Sequence, residues 1–395
     1  MIAIDNILEK YTTSKQLPLA IGAVVTRDKG LVYNNGYGFK RVDEESSHAD
    51  EETVVKLFST SKALTTTALL QLLESGKITS IDDPVEKYIP EIKDTKLMTG
   101  VDEEGKPILV TPTKKPTLRN LLTHTAGFSY SFFSHKYADY LKSTGNGDIL
   151  KSSWEHFNTP FIYEPGTKFH YGVNIDWAGK VVENVSGLTL DAYCKKNIFG
   201  PLEANSLTFE RFPEQFEQQA QLHQRVGPTD YQVLENAYVK KPKFHAGGHG
   251  CWGKVSDYMK FLEIFLHEGK SPQTGAVILK PETIQKYSFS NLMPEGVKIE
   301  STLEVSQPDV SNYVDYFDLF EKQGWTASFH KTGDELPTGR SANSFNWAGL
   351  ANLYYWIDVN KGIAGFFATQ LFPFYDKSSL QAFGEFETEA YKTFA

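Results

Sequence analysis

The 395-residue sequence predicts an α/β protein: an antiparallel sheet flanked by helices, with a mainly helical region inserted into it. Three observations carry this. Near the start, Leu19–Thr26 and Leu31–Tyr33 are β-prone runs around the turn Asp28-Lys29-Gly30. Near the end, Leu353–Asp358 and Ile363–Ala368 flank a second turn at Asn360-Lys361-Gly362. The sequence between these two hairpins is rich in helical patterns, so one sheet is expected to be built from both ends of the chain.

Taken in order, Ile4, Ile7, Leu8 and Tyr11 sit at helical spacing. The segment that carries them lacks a basic stretch leading into an apolar run, so it does not read as a signal peptide and a cytoplasmic location is expected. Thr65–Ser75 is rich in Leu and Ala and ends at Gly76, a helix with a glycine C-cap. Thr117–Leu122 and Trp177–Ser186 also read as helices, the second stopped by Gly187. An amphipathic helix near Ser379–Thr393 closes the chain. The stretch from Pro294 to Arg340 is irregular and aromatic, and no element is assigned to it. The expected organisation is one catalytic domain over 1–395, with a sheet part at about 1–82 plus 240–395 and a helical part at about 83–239.

Composition narrows the function. Forty basic residues against 49 acidic ones leave no broad basic face for a phosphate backbone, so no nucleic-acid partner is expected. No apolar stretch approaches the roughly 20 residues of a membrane helix, so no membrane partner is expected either. Cys194 and Cys251 cannot build a disulfide framework or a four-cysteine zinc site and read as reduced thiols. His124, His245 and His249 read as loop and core hydrogen-bonders rather than metal ligands, and no cofactor is expected. Gly-x-Ser-x-Gly, His-Glu-x-x-His and P-loop motifs are absent.

Ser-x-x-Lys occurs twice, as Ser59-Thr60-Ser61-Lys62 and as Ser328-Phe329-His330-Lys331. A pattern with two free positions arises by chance roughly twice in such a chain, so context must separate the copies. Ser59 opens the apolar helix that ends at Gly76, where i and i+3 share a face and the Lys62 amine can approach the Ser59 hydroxyl. Ser328 lies in the irregular segment with no helix behind it. A serine hydroxyl needs a base at neutral pH, and a lysine serves only if burial and neighbouring charge lower its pKa. A tyrosine could share that proton work, but spacing cannot choose it among 20. A helix N-cap is the competing explanation of Ser59.

Leu57-Phe58-Ser59-Thr60-Ser61-Lys62, the run Leu72–Ile78, Asp82–Pro90, Leu118–Phe128 and Glu164–Tyr171 stand in the order of landmarks seen in serine β-lactamases and penicillin-binding proteins. The sequence resembles that superfamily over most of its length. The segment Tyr171-Gly172-Val173-Asn174-Ile175-Asp176-Trp177-Ala178-Gly179 departs from the usual Tyr-x-Asn. In this it resembles family VIII carboxylesterases and lovastatin-type fungal acyltransferases. In β-lactamases the missing asparagine helps hold the antibiotic's amide side chain, so the departure points away from efficient lactam hydrolysis. Lys331-Thr332-Gly333 matches the third motif literally but leads into a polar, turn-like stretch. Trp347-Ala348-Gly349-Leu350 precedes the strand Leu353–Asp358 and resembles the Trp-x-Gly element that replaces Lys-Thr-Gly in those esterases.

The resemblance implies a β-lactamase-like (DD-peptidase) fold and a serine hydrolase of small-molecule carboxylic esters. Ser59 is the expected nucleophile, and Lys62 and Tyr171 the proton-transfer groups. The N–H groups of Ser59 and Leu350 are the implied oxyanion hole, with Trp347, Gly349, Asn174 and Trp252 as substrate-binding residues. Gly247–Gly253 is a further pocket segment, its glycines implying close backbone approach. The alternative is an acyltransferase that passes the acyl group to an alcohol, with β-lactamase activity ranked lower. A silent binding protein on the same fold would not react at Ser59 with a fluorophosphonate.

Overall fold

A computed structural model of the chain describes residues 3–104, 106–145, 153–211, 217–235, 237–238, 241–299 and 303–395. The N-terminal helix α1 (Ala3–Thr13) leads into β1 (Leu19–Thr26) and β2 (Gly30–Gly38). A short strand β3 (Val54–Lys56) precedes α2 (Ser61–Glu74). The middle of the chain carries α3 (Leu118–Leu122) and α4 (Asn174–Ser186), followed by β4 (Trp252–Lys254) and α5 (Val255–Leu266). Five strands of the main sheet follow: β5 (Gln323–Trp325), β6 (His330–Thr332), β7 (Ser344–Gly349), β8 (Leu353–Asp358) and β9 (Ile363–Ala368). Helix α6 (Lys377–Phe394) ends the chain.

The main sheet is antiparallel, in the order β2-β1-β9-β8-β7-β6-β5. Both terminal hairpins form, and β1 pairs with β9 from Ile21–Ala368 to Thr26–Ile363. Every residue of β1, β8 and β9 is buried. Such strands read as continuous apolar runs because both faces of the sheet are covered. One face packs against α5 and the helical region. The other is covered by α1 and α6, through Ile4, Leu8, Ala382, Phe386 and Ala390. Gly365 on β9 makes room for Trp356, since a Cβ there would lie 2.1 Å from the indole.

Within Pro294–Arg340, where the sequence suggested no element, β6 and the edge strand β5 extend the sheet; residues 300–302 of that stretch lie outside the described residues. Three-residue strands are too short to show an alternating pattern. The expected division between sheet and helical parts at 239/240 also falls outside the described residues.

Helix α2 is buried around almost its whole circumference from Ser61 to Leu70, as befits a helix with no polar face. It packs against α4 and stands between the helical region and the sheet. Its C-terminal glycine, Gly76, has φ +73°, and α4 ends on Gly187 at φ +74°, the left-handed cap that glycine adopts without strain. Strands β3 and β4 pair from Val54–Lys254 to Lys56–Trp252, which brings the Gly247–Cys251 segment alongside the start of α2.

Candidate active site

Ser59 lies on a 3-10 turn, Phe58–Thr60, immediately before α2. Phe58 adopts a left-handed backbone, φ 46°, a conformation that costs an aromatic residue energy and is held by tight surroundings. Its ring packs against Phe372 and Tyr238. The N-cap of α2 is Thr60, with no side-chain cap hydrogen bond, so Ser59 is not an N-cap.

One turn further along, Lys62 is only 3% exposed and its Nζ has three hydrogen-bond partners. Its Nζ reaches Ser59 Oγ at 3.1 Å, the Tyr130 hydroxyl at 3.0 Å and the Gly248 carbonyl at 2.8 Å. Burial pushes the ammonium below its ordinary pKa, and the Asp176 carboxylate pushes back. Asp176 is itself fully buried on the first turn of α4; burial raises its pKa, opposed by Lys62 and by the Gly248 N–H at 2.9 Å.

Tyr171 sits on the other side of Ser59. Burial drives its phenol far above the ordinary value, and hydrogen bonds from Ser59 and the Trp347 indole pull it back. The Trp347 Nε1–H donates to the Tyr171 hydroxyl at 2.9 Å, and Lys62 Nζ lies 4.6 Å from the centre of the Tyr171 ring. Behind Tyr171 the His124 ring packs at 4.5 Å between centroids and stays neutral, because burial and the nearby Lys62 both disfavour its charge.

A cavity of about 230 Å³ opens at Ser59. Near the serine its walls are Phe132, Phe133, Tyr171, Trp347, Gly349 and Leu350. Strand β7 comes so close to the turn before Ser59 that a Cβ on Gly349 would lie 2.8 Å from the Leu57 carbonyl. That approach brings the Leu350 backbone to the mouth of the cavity beside Ser59.

Two expected substrate contacts are corrected. Asn174 is fully buried and pairs its amide with His124 Nδ1 at 3.1 Å; it supports the His124 ring and does not line the cavity. Trp252 is held in β4 on the far side of the β3–β4 ladder, its ring between Lys56 and Arg211, and lines a separate small pocket. The literal Lys-Thr-Gly also stands apart: Lys331 Nζ bonds the Phe289 carbonyl at 3.3 Å, and Thr332 accepts from Asn346 at 2.8 Å. The second Ser-x-x-Lys is structural, with Ser328 accepting a hydrogen bond from Thr66 on α2.

Tyr130 and Asp176 join the site without having been assigned to it from sequence, whereas Gly248 belongs to the Gly247–Gly253 segment that the sequence pointed to. Tyr130 is one tyrosine of 20 and carries no spacing signal. Asp176 did leave one: an acid inside the apolar run Ile175–Gly179 is out of place unless it is paired or functional.

The whole constellation can be placed among known proteins. The sequence matches the Beta-lactamase family over residues 4–384. The chain belongs to the Beta-lactamase family. It is 26% identical to monacolin J acid methylbutanoyltransferase of Aspergillus terreus, with 95% of this chain and 92% of the relative aligned. It is 28% identical to lovastatin esterase of Penicillium rubens, with 88% of each covered. Among solved structures it is similar to unliganded simvastatin synthase (LovD) of Aspergillus terreus, at 25% identity and TM-score 0.82, covering 99% of this chain and 98% of that one. This member of the Beta-lactamase family thus shares its fold and most of its length with acyltransferases and with an esterase.

Proposed function

We propose that the protein is a serine esterase that cleaves small-molecule carboxylic esters through a Ser59 acyl-enzyme. The single observation behind this reading is the 3.1 Å contact between Lys62 Nζ and Ser59 Oγ at the mouth of an apolar cavity. The environment pushes the pKa values of Lys62 and Tyr171 in opposite directions, which supports Lys62 as the base and Tyr171 as the acid. Lys62, in its neutral form, takes the Ser59 proton as Oγ attacks the ester carbonyl. The carbonyl oxygen gains the negative charge, and the N–H groups of Ser59 and Leu350 receive it. As the carbonyl reforms, the C–O bond to the alcohol breaks. Tyr171 hands its proton to the departing oxygen and regains one from Lys62. Water then attacks the acyl carbon and gives a proton to the same pair; as the carbonyl reforms the bond to Ser59 Oγ breaks, the pair returns that proton to Oγ, and the acid leaves.

Only the chain's own groups take part in these steps. We further place the enzyme in the cytoplasm, acting on a soluble small molecule with neither nucleic acid nor membrane as partner, as one catalytic unit with sheet and helical parts. Among the described residues no helix is long and apolar enough to cross a membrane.

Acyl transfer is the second reading, favoured by the 26% identity to a methylbutanoyltransferase over 95% of the chain. There an alcohol replaces water in the second half of the cycle, and the same residues serve. The test is p-nitrophenyl butyrate turnover with wild type and Ser59→Ala, with and without an added alcohol. Ser59-dependent release in water alone supports the esterase. Release that rises only with the alcohol, yielding a new ester, supports the transferase. Release that is equal in Ser59→Ala removes both.

A further inference from the structure

The cavity at Ser59 does not stop at Trp347. Strand β6 pairs with β7 only along Ser344–Asn346, so Trp347–Gly349 has no strand on that side. Neighbouring residues of a strand point to opposite faces. Trp347 faces Tyr171, whereas Ala348 faces α6, and both line the same cavity. The cavity therefore rounds the free edge of β7 and continues between the outer face of the sheet and α6.

Two features mark this slot as built. Leu380, Gly384 and Glu387 form one stripe of α6 along its wall. Gly384 is in mid-helix, where glycine is the poorest residue but proline, and a Cβ there would meet no atom within 4 Å. No close approach and no positive φ asks for glycine at that point; what its missing side chain leaves is space.

The second feature is the polar end. Arg340 and Glu387 line the cavity with side chains 3% and 2% exposed, and pair Nε to Oε1 at 2.5 Å. Among the described residues, Nε is the only guanidinium nitrogen of Arg340 with a hydrogen-bond partner. Arg340 lines the cavity, and its terminal guanidinium nitrogens can donate to an acceptor that enters it. The pair is neutral overall, so a ligand oxygen that is itself neutral fits, whereas a carboxylate would face Glu387.

We infer that the slot holds the acyl chain of the substrate, and that the preferred acyl group is extended and carries a neutral oxygen, carbonyl or hydroxyl, near its far end. This rests on the Ser59 acyl-enzyme proposed above. The test compares kcat/KM for p-nitrophenyl acetate, hexanoate and 5-oxohexanoate. Acetate ends before the slot and serves as the internal reference. Wild type is expected to prefer the oxo ester over hexanoate by about tenfold. Gly384→Leu, which fills the slot, should lower hexanoate relative to acetate by about tenfold or more. The double variant Arg340→Met/Glu387→Leu removes both charges together, so neither is stranded, and should abolish the oxo preference while keeping hexanoate.

Circular dichroism checks that each variant folds. Should Gly384→Leu not fold, Phe383→Ala widens the slot instead and should raise octanoate relative to hexanoate. An unchanged hexanoate-to-acetate ratio in a folded Gly384→Leu, or an unchanged octanoate-to-hexanoate ratio in Phe383→Ala, overturns the slot. Equal turnover of hexanoate and its oxo analogue in wild type overturns the polar end. Absence of Ser59-dependent release from acetate defeats the esterase reading itself, and the slot with it.

Discussion

Lys62 and Asp176 meet through a single glycine. The Gly248 carbonyl accepts from Lys62 Nζ at 2.8 Å, while the Gly248 N–H donates to Asp176 Oδ1 at 2.9 Å. A Cβ on Gly248 would lie 2.5 Å from Asp176 Oδ2, so no other residue fits between the two charges without moving one. Lys62 is thereby held near a buried carboxylate that does not touch it directly, and Asp176 acts on its pKa through charge.

This gives a signed pH prediction. The negative charge of Asp176 raises the pKa of Lys62, while burial lowers it. In the proposed mechanism the neutral amine is the active form, so kcat/KM is expected to rise with pH through the Lys62 pKa. Asp176→Asn removes the raising influence, and the ascending limb should move to lower pH. A pH–rate profile with p-nitrophenyl butyrate reads this directly; a limb that stays in place or moves to higher pH contradicts it.

Trp347→Phe keeps an aromatic ring against Tyr171 but deletes the N–H that bonds its hydroxyl at 2.9 Å. A lost hydrogen bond of this kind is worth about 1 kcal/mol, which corresponds to roughly fivefold in rate. The loss should appear in kcat. Rates equal to wild type would mean that the indole N–H plays no part in the proton transfer.

Lys331 tests which third motif operates. It bonds the Phe289 carbonyl and faces away from the cavity, whereas Trp347–Leu350 lines it. Lys331→Ala should therefore leave ester turnover within about twofold of wild type, as expected for a substitution away from the reacting groups. A collapse of kcat/KM in a folded variant would restore the literal Lys-Thr-Gly reading.

Gly365→Ala addresses the sheet. The added Cβ would sit 2.1 Å from the Trp356 indole, which is fully buried between β8 and α6. Overpacking of this sort costs about 1–3 kcal/mol. Chemical denaturation should show a lowered midpoint with an unchanged slope.

How far the sequence could be read follows physical lines. The terminal hairpins, the Gly76 and Gly187 caps and the Ser59–Lys62 pair all rest on short-range patterns, and each appears in the structure as expected. Asn174 and Trp252 were expected at the substrate because their neighbours belong to the site. Whether a side chain points into a cavity or behind it depends on packing of distant segments, and motif adjacency carries no information about that. Gly248 and Tyr130 reach Lys62 from residues 186 and 68 positions away. Such contacts have no local signature. Strands β5 and β6 were missed because three residues cannot display a period.

The pairing of β1 with β9 also has a bearing on how the protein is made. Strand β9 is the last of the seven to leave the ribosome, yet it sits in mid-sheet, beside one of the first. Two residues beyond it, the Gln370 side chain bonds both backbone groups of Lys56, three residues before Ser59, at 3.1 Å each. Contacts of such long sequence separation form late, after the loop-closure cost has been met. A nascent or truncated chain ending before residue 363 holds Ser59 and Lys62 but lacks the partner strand of β1 and the Gln370 side chain that clamps Lys56. Closure of the sheet thus follows synthesis of residues 363–370, and a single cut between α5 and β7 that releases the C-terminal strands would carry away Trp347 and Leu350 together with the strand that pairs with β1.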